Sequence, residues 1–340
     1  MEINGRKIGE GAPYIVAEIS GNHCGDYFQC SDLISAAAWA GADAVKVQCY
    51  TPATITLDCD KPDFVIQEGP WKGRTFYELY QKAHTPFEWF HDLFQAAKVQ
   101  GITLFSSIFD KTSVDMLEKL ECPAYKIASM ECVDIPLIKY AGKTGKPLII
   151  STGMASGEEI LEAIRAVGHE NFCLLHCVSG YPTRVEEANL WRIEDLRRLP
   201  FRQARVGLSD HTKGIEVPIA ATALGAVMIE KHIKNSNTIS EDSKFSLAPK
   251  EFKVMSKAVR SVWGAMLASE PKSQESSKQY RRSLYVVKDT KKGEIFTQDN
   301  IRSIRPNYGL PPIYFDDILG KKAAQDIERG TALKWDLIAS

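Results

Sequence analysis

The chain has 340 residues, 44% of them hydrophobic and 25% charged, which suits one core of roughly 250 residues plus a small module and excludes a disordered chain. Its 42 basic and 43 acidic residues leave a net charge of -1, excluding a whole-protein attraction to nucleic acid or an anionic membrane. No apolar run is long enough to span a bilayer, and the first one, Tyr14 to Ala17, stops at Glu18, so a soluble cytoplasmic protein is expected.

From residue 13 to about 267 one pattern repeats: a short β-rich run, a polar residue, then a helical stretch. The runs are Tyr14–Ile19, Ala44–Gln48, Ile102–Ser106, Ala124–Ala128, Leu148–Ser151, Phe172–Cys177, Arg205–Ser209 and Val227–His232. Amphipathic stretches follow, among them Cys30–Trp39, Pro86–Gln100, Thr112–Leu120, Ser156–Val167 and Pro249–Leu267. Apolar strands alternating with helices imply parallel βαβ units. Eight of them predict a (β/α)8 TIM barrel over residues 1–268, with a doubly wound open sheet as the alternative. The longest irregular insertion, Thr51 to Thr85, emerges on the rim of such a barrel and carries Trp71, Arg74, Tyr77 and Tyr80.

Residues 269–280 are polar and read as a linker. Beyond it, residues 281–340 follow a different grammar of short strands and glycine turns. Two stretches there match at a constant offset: Asp289, Gly293, Phe296, Asp299 and Ile301 against Asp326, Gly330, Leu333, Asp336 and Ile338. The repeat predicts a small pseudo-symmetric β-rich domain.

In a parallel barrel the C-terminal strand ends converge on one mouth. Reading them in order collects Glu18, Asn22 and His23; Lys46 and Gln48; Ser106 and Ser107; Lys126, Ser129 and Glu131; Ser151 and Thr152; Ser179 and Tyr181; Ser209, Asp210 and His211; Glu230 and His232. Lys46 and Gln48 share one strand face, as do Glu230 and His232, which leaves Lys231 pointing outward. Lys46, Lys126, Ser107, Ser129, Ser151, Ser179 and Ser209 together suit a small anion bearing phosphate and carboxylate. His211 and His232, at adjacent strand ends, are the expected pair for Mn2+ or a similar divalent ion, with Asp210 and Glu230 beside them as supporting carboxylates. The run Cys173-Leu-Leu-His176-Cys177 offers zinc-like residue types, but alternate side chains on a strand point opposite ways. The eight cysteines are scattered without a CxxC pair and read as free thiols.

These segments resemble the sialic acid synthase family over essentially the whole chain. The resemblance rests on Ala17-Glu18-Ile19-Ser20-Gly21-Asn22-His23, Gly41-Ala42-Asp43-Ala44-Val45-Lys46-Val47-Gln48, Tyr125-Lys126-Ile127-Ala128-Ser129 and Ser151-Thr152-Gly153-Met154. It continues through Leu175-His176-Cys177, Tyr181-Pro182-Thr183, Gly207-Leu208-Ser209-Asp210-His211, Leu224-Gly225-Ala226 and Glu230-Lys231-His232. The C-terminal module resembles that family's antifreeze-like (SAF) domain. Tyr50-Thr51-Pro52, Tyr77-Glu78-Leu79-Tyr80, Thr85-Pro86-Phe87-Glu88-Trp89 and Ser240-Glu241-Asp242-Ser243-Lys244-Phe245-Ser246-Leu247 are similar to the pseudaminic acid synthases within it. Two departures are Cys24, after the Asn-His pair, and Ser179, in place of an asparagine that contacts phosphoenolpyruvate in sialic acid synthases.

The resemblance implies condensation of phosphoenolpyruvate with an acetamido sugar, 2,4-diacetamido-2,4,6-trideoxy-beta-L-altrose, and water, giving pseudaminic acid and phosphate. It implies phosphoenolpyruvate on Lys46, Gln48, Ser107, Lys126, Ser129, Ser151, Ser179 and Ser209. It places the sugar on Tyr181, Asp242 and Arg305, with Arg305 supplied by the neighbouring chain of a domain-swapped homodimer. The ion, Mn2+ with Mg2+ or Co2+ as alternatives, would bind His211 and His232. Glu18, Glu131 and Glu230 are the candidates for proton transfer and for stabilising a developing cation, with their division of labour open. Trp71 and Tyr77 are expected neighbours of the less polar sugar. Three alternatives stay open: an N-acetylneuraminate or legionaminate synthase, a Schiff-base aldolase using Lys46 or Lys126, and a carbohydrate-binding protein whose C-terminal module does the work.

Overall fold

A strand buried on both faces must be apolar along its length, and the eight Val-, Ile-, Leu- and Ala-rich runs meet that demand. In the computed structural model they are β1 (Tyr14–Glu18), β2 (Ala44–Cys49), β3 (Thr103–Ile108), β4 (Tyr125–Ile127), β5 (Leu148–Ser151), β6 (Phe172–Cys177), β7 (Arg205–Asp210) and β8 (Met228–His232). The structure describes residues 1–69, 71–201, 205–237, 239–267 and 272–339. Each strand pairs in parallel with the next, and β8 pairs with β1. That last pairing closes the barrel and rules out the open-sheet alternative.

Register decides which side chains meet at the mouth. Glu18 stands opposite Lys46 and His232, Gln48 opposite Ser107, Ser209 opposite Glu230, and Asp210 opposite Lys231. Close approach of β7 and β8 needs Gly207. A Cβ there would lie 2.4 Å from the Met228 carbonyl oxygen and 2.8 Å from Leu175 Cδ2.

Each of the five helices expected from periodicity is present, as Tyr27–Trp39, Phe90–Val99, Lys111–Lys119, Gly157–Val167 and Pro249–Met266. Asp26, Asp110 and Ser156 cap three of them by accepting backbone N–H bonds. Helices Ile135–Gly142, Arg192–Arg197 and Glu216–Ala223 did not stand out in the sequence. They span only two turns or so, too few for a periodic pattern to emerge. Neither did the hairpin Glu2–Ile3/Arg6–Lys7, whose neighbour Ile8 accepts a bond from Arg205 Nε through its carbonyl at the N-terminal end of β7.

The Thr51–Thr85 insertion, expected to be irregular, contains the helices Pro52–Ile55 and Phe76–Ala83. The second begins with a reciprocal cap. Thr75 Oγ1 accepts from Glu78 N at 3.1 Å, and Glu78 Oε2 accepts from Thr75 N at 2.9 Å.

The chain divides into two compact units, Met1–Leu267 and Ala268–Ser340. Within the stretch expected as a linker, residues 269–271 fall outside the described residues, whereas Lys272–Ser277 forms a short helix rather than irregular chain. In the second unit, β9 (Ser283–Val286) pairs antiparallel with β10 (Ile301–Ile304). The repeated aspartates act reciprocally. Asp289 accepts from Arg329 N and Asp326 accepts from Lys292 N, each at 2.8 Å, around paired Thr290 and Ile327. Phe296 and Leu333, matching positions of the repeat, are both fully buried in this unit's core.

Candidate active site

One cavity of about 610 Å3 at the C-terminal strand ends is lined by the three glutamates, the two lysines, Gln48, Ser107, Ser129, Ser151, Ser179, Ser209, Tyr181, Asp242 and the two histidines, whereas Asn22, His23, Ser106, Thr152 and Asp210 are buried outside its lining. Arg305 lies in the second unit, exposed, just after β10.

The floor is a charged lattice. Lys46 Nζ lies 2.6 Å from Glu18 Oε2 and donates to Ser107 Oγ at 2.8 Å. Lys126 Nζ donates to Ser151 Oγ at 2.7 Å. Glu230 Oε1 is 3.7 Å from Lys46 Nζ and 3.5 Å from Lys126 Nζ, and accepts from Ser209 Oγ at 3.0 Å. Gln48 Nε2 bridges Glu18 Oε1 at 2.9 Å and Ser20 Oγ at 3.0 Å. Two ammonium groups and two carboxylates are thus withdrawn from water together, which is tolerable only as a mutually bonded set.

Their titration follows from this packing. Burial pushes Glu18 up against the opposing pull of Lys46. Glu230 is buried too, but Lys126, Lys46 and the Ser209 hydroxyl hold it below its ordinary value. Burial lowers Lys126, whereas in Lys46 the pull of Glu18 and Glu230 outweighs burial and raises it. Glu131 is pushed up to about 7, chiefly by burial, which poises it to exchange a proton near neutrality. Its Oε2 has no bond partner among the described residues.

Ser129 and Ser179 meet over Gly153, whose N–H donates to Ser129 Oγ at 3.2 Å. A Cβ on Gly153 would sit 2.6 Å from Ser179 Oγ and 2.8 Å from Ser129 Oγ, so only glycine leaves this niche open. Ser179 Oγ lacks a partner among the described residues and is free to bond an incoming anion.

His211 and His232 face each other with ring centroids 5.4 Å apart, both against Phe245. His211 Nδ1 lies 3.0 Å from the Val178 carbonyl oxygen, leaving Nε2 for a ligand. His232 Nδ1 has no partner among the described residues, and burial with the His211 charge keeps the ring neutral. Burial opposes charge on His211, yet neighbouring Cys177 raises it, and a bound cation would displace that proton. No three His, Cys, Asp or Glu side chains are grouped to hold an ion among the described residues. Two imidazoles therefore fit a divalent ion whose other ligands are substrate and water oxygens.

Two expectations, for Asp210 and Tyr77, are corrected by the geometry. Asp210 does not support the histidines from within the mouth. It is turned outward, 2.5 Å from Lys231 Nζ and bonded to Thr212 N and Oγ1. Lys231 points out of the barrel as expected, is fully buried there and also donates to the Thr212 carbonyl. Tyr77 is not part of the cavity wall, which Trp71, Phe76 and Tyr80 provide instead. His176, directed to the Ala188 carbonyl, and Cys177, directed to His211, lie on opposite sides of β6 as alternation requires. All eight cysteines are free thiols.

Sequence reasoning passed over Ser20, Tyr50, Phe109 and Cys177 as cavity residues. It also passed over the bracing of the loop after β8. Gly21 N donates to Asp242 Oδ2 at 3.2 Å, and Asn22 Nδ2 donates to the Ile233 carbonyl at 2.8 Å and to Ser246 Oγ at 2.9 Å. Arg74 Nη1 and Lys82 Nζ both reach Glu241 Oε1, at 2.7 and 2.9 Å.

A family model described as the NeuB family matches residues 33–270. The chain belongs to the NeuB family. The second unit matches the SAF domain over residues 281–339. This NeuB-family chain is 45% identical over 328 residues to the pseudaminic acid synthase of Campylobacter jejuni subsp. jejuni serotype O:23/36 (strain 81-176), covering 94% of this chain and 95% of the relative. It is 43% identical over 332 residues to the pseudaminic acid synthase of Helicobacter pylori (strain ATCC 700392 / 26695), with 95% and 97% covered. Among solved structures it is similar to the N-acetylneuraminic acid synthetase of Leptospira borgpetersenii serovar Hardjo-bovis in complex with citrate. That likeness has a TM-score of 0.72 at 29% identity, covering 82% of this chain and 94% of that one. No helix among the described residues is long and apolar enough to cross a membrane.

Proposed function

We propose that this NeuB-family enzyme condenses phosphoenolpyruvate with 2,4-diacetamido-2,4,6-trideoxy-beta-L-altrose and water to give pseudaminic acid and phosphate. The observation that carries this reading is identity of 43–45% to pseudaminic acid synthases over both units of the chain.

Phosphoenolpyruvate is assigned to the floor. Lys46 and Lys126 neutralise its charge, while Ser107, Ser151, Ser209 and Gln48 supply hydrogen bonds, and the Ser129–Gly153–Ser179 niche takes its remaining oxygens. Tyr181 and Asp242 orient the open-chain sugar above it. A divalent ion on His211 and His232, for which Mn2+ is the expected species, supplies Lewis-acid polarisation of the sugar carbonyl when bound. C3 of phosphoenolpyruvate bonds to the aldehyde carbon while the carbonyl electron pair moves onto its oxygen, and the electron deficit falls on C2. Ionised Glu230, held between the two lysines, stabilises that deficit electrostatically. Water adds to C2 and gives its proton to Glu131, the carboxylate whose raised value suits exchange near pH 7, and that proton is passed on to the alkoxide oxygen of the former aldehyde. The C2–O bond to phosphate then breaks as the C2 hydroxyl forms the carbonyl, its proton leaving with the inorganic phosphate, and the 2-keto product remains. Arg305 of the partner subunit completes the sugar site in a domain-swapped homodimer.

Lys126, lowered by burial, keeps the Schiff-base reading in play as the second hypothesis. One assay separates the two. Phosphate release from phosphoenolpyruvate with the trideoxy sugar should require a divalent ion and stop with EDTA. Activity that survives EDTA, with a borohydride-trapped pyruvate adduct on Lys126, would overturn the proposal.

A further inference from the structure

The mouth cavity is chemically divided, and its two halves come from different parts of the chain. The barrel strands contribute the charged floor described above. The Thr51–Thr85 insertion contributes a wall in which Ile66, Trp71, Phe76, Leu79 and Tyr80 face the same space. Its aromatic residues pack in two groups: Phe76 stacks on Tyr80 with centroids 6.2 Å apart, and Trp71 stands 6.0 Å from Tyr181 of the barrel. The wall is also held in place, because Arg74 and Lys82 of the insertion share Glu241, the residue next to Asp242.

The ring and aliphatic faces of Phe76, Leu79 and Ile66 favour methyl groups and disfavour hydroxyls, which lose their water against them without gaining a partner. The polar atoms of the wall are those of Glu68, the Tyr80 hydroxyl and Trp71 Nε1, which has no partner among the described residues. We infer that the insertion is the specificity element of this site, its Trp71–Phe76–Tyr80 surface reading the C6 methyl of the sugar and rejecting the C6-hydroxyl counterpart. This rests on the proposed reaction. The floor sets where phosphoenolpyruvate lies, so the wall acts on the choice of sugar and leaves phosphoenolpyruvate binding alone.

The test compares the trideoxy sugar with its 6-hydroxy analogue, using the full-length protein, phosphoenolpyruvate and Mn2+, with phosphate release as the readout. The wild type should favour the deoxy sugar by about 10- to 100-fold in kcat/KM, the range an apolar pocket can reach against an added hydroxyl. Phe76→Ser and Trp71→Gln should each cut that ratio several-fold while KM for phosphoenolpyruvate stays constant. Trp71→Phe, which keeps an apolar ring, should retain most of the ratio and guards against a variant that merely folds poorly. Equal turnover of both sugars by the wild type, or an unchanged ratio in both polar variants, would overturn the inference while leaving the reaction intact. Failure of the wild type to release phosphate with either sugar would overturn the reaction and the inference together.

Discussion

At the scale of single residues, Glu131 and Gly153 carry the sharpest consequences. Glu131 holds its proton up to about 7 in the fold, well above the ordinary carboxylate value. As the base for water addition it should make kcat/KM rise with pH through about 7, and Glu131→Gln should remove that limb and slow turnover by about 10²–10⁴-fold. The sign for stability is the reverse. A folded-state value above the unfolded one means the stabilising contribution is complete below the unfolded value and is lost as pH rises through the folded one. Glu131→Gln should therefore gain about 3 kcal/mol over the wild type well above pH 7 and little at pH 4, as urea unfolding at the two pH values would read. A gain independent of pH would contradict the assignment. Gly153→Ala should close the niche between Ser129 and Ser179, raising KM for phosphoenolpyruvate with little change in KM for the sugar. Glu18, Lys46, Lys126 and Glu230 were legible in the sequence because polar side chains at the ends of apolar strands have one place to converge. Ser20 and Tyr50 were not. They enter the cavity through turns after β1 and β2, where no period says which way a side chain faces.

At the scale of elements, the outer face of the β7–β8 pair is clamped by Lys231 and Asp210, buried together beside the two histidine-bearing strand ends. Lys231→Met would strand Asp210 without its counter-charge and should cost about 3–5 kcal/mol in chemical denaturation. The double variant Lys231→Met/Asp210→Asn should cost less than the single one, and a larger loss in the double would refute the pairing as the cause. The insertion tells a different story. Its Phe76–Ala83 helix is announced by Thr75 and Glu78 at cap spacing, yet its attachment depends on Glu241, 167 residues from Arg74 along the chain. Contacts of that range carry no local signal. Glu241→Ala should free the wall and raise KM for the sugar, an effect measurable by initial rates at saturating phosphoenolpyruvate. The barrel itself was legible because strand and helix periods alternate so regularly, and the missing helices were those too short to show a period at all.

At the scale of the whole molecule, the two units have separate cores, and the reaction is proposed to use both through a second copy of the chain. Arg305→Ala and Glu131→Gln proteins, each inactive alone, should regain about a quarter of wild-type activity when unfolded and refolded as a mixture, since half the dimers are mixed and each mixed dimer has one intact site. No recovery, with dimers present by sedimentation, would show that Arg305 does not serve the partner subunit's site. The reciprocal aspartates of the second unit were readable as a sequence repeat, whereas a second chain leaves no mark in the sequence of the first.

The most direct measurement is a one-pot competition. Equimolar 2,4-diacetamido-2,4,6-trideoxy-beta-L-altrose, N-acetylmannosamine and the legionaminic precursor would be offered with limiting phosphoenolpyruvate and Mn2+, and the nine-carbon products resolved by chromatography and mass. The proposed reaction predicts that pseudaminic acid dominates, with one phosphate released per product. Conversion of N-acetylmannosamine or the legionaminic precursor in preference to the altrose sugar would contradict it.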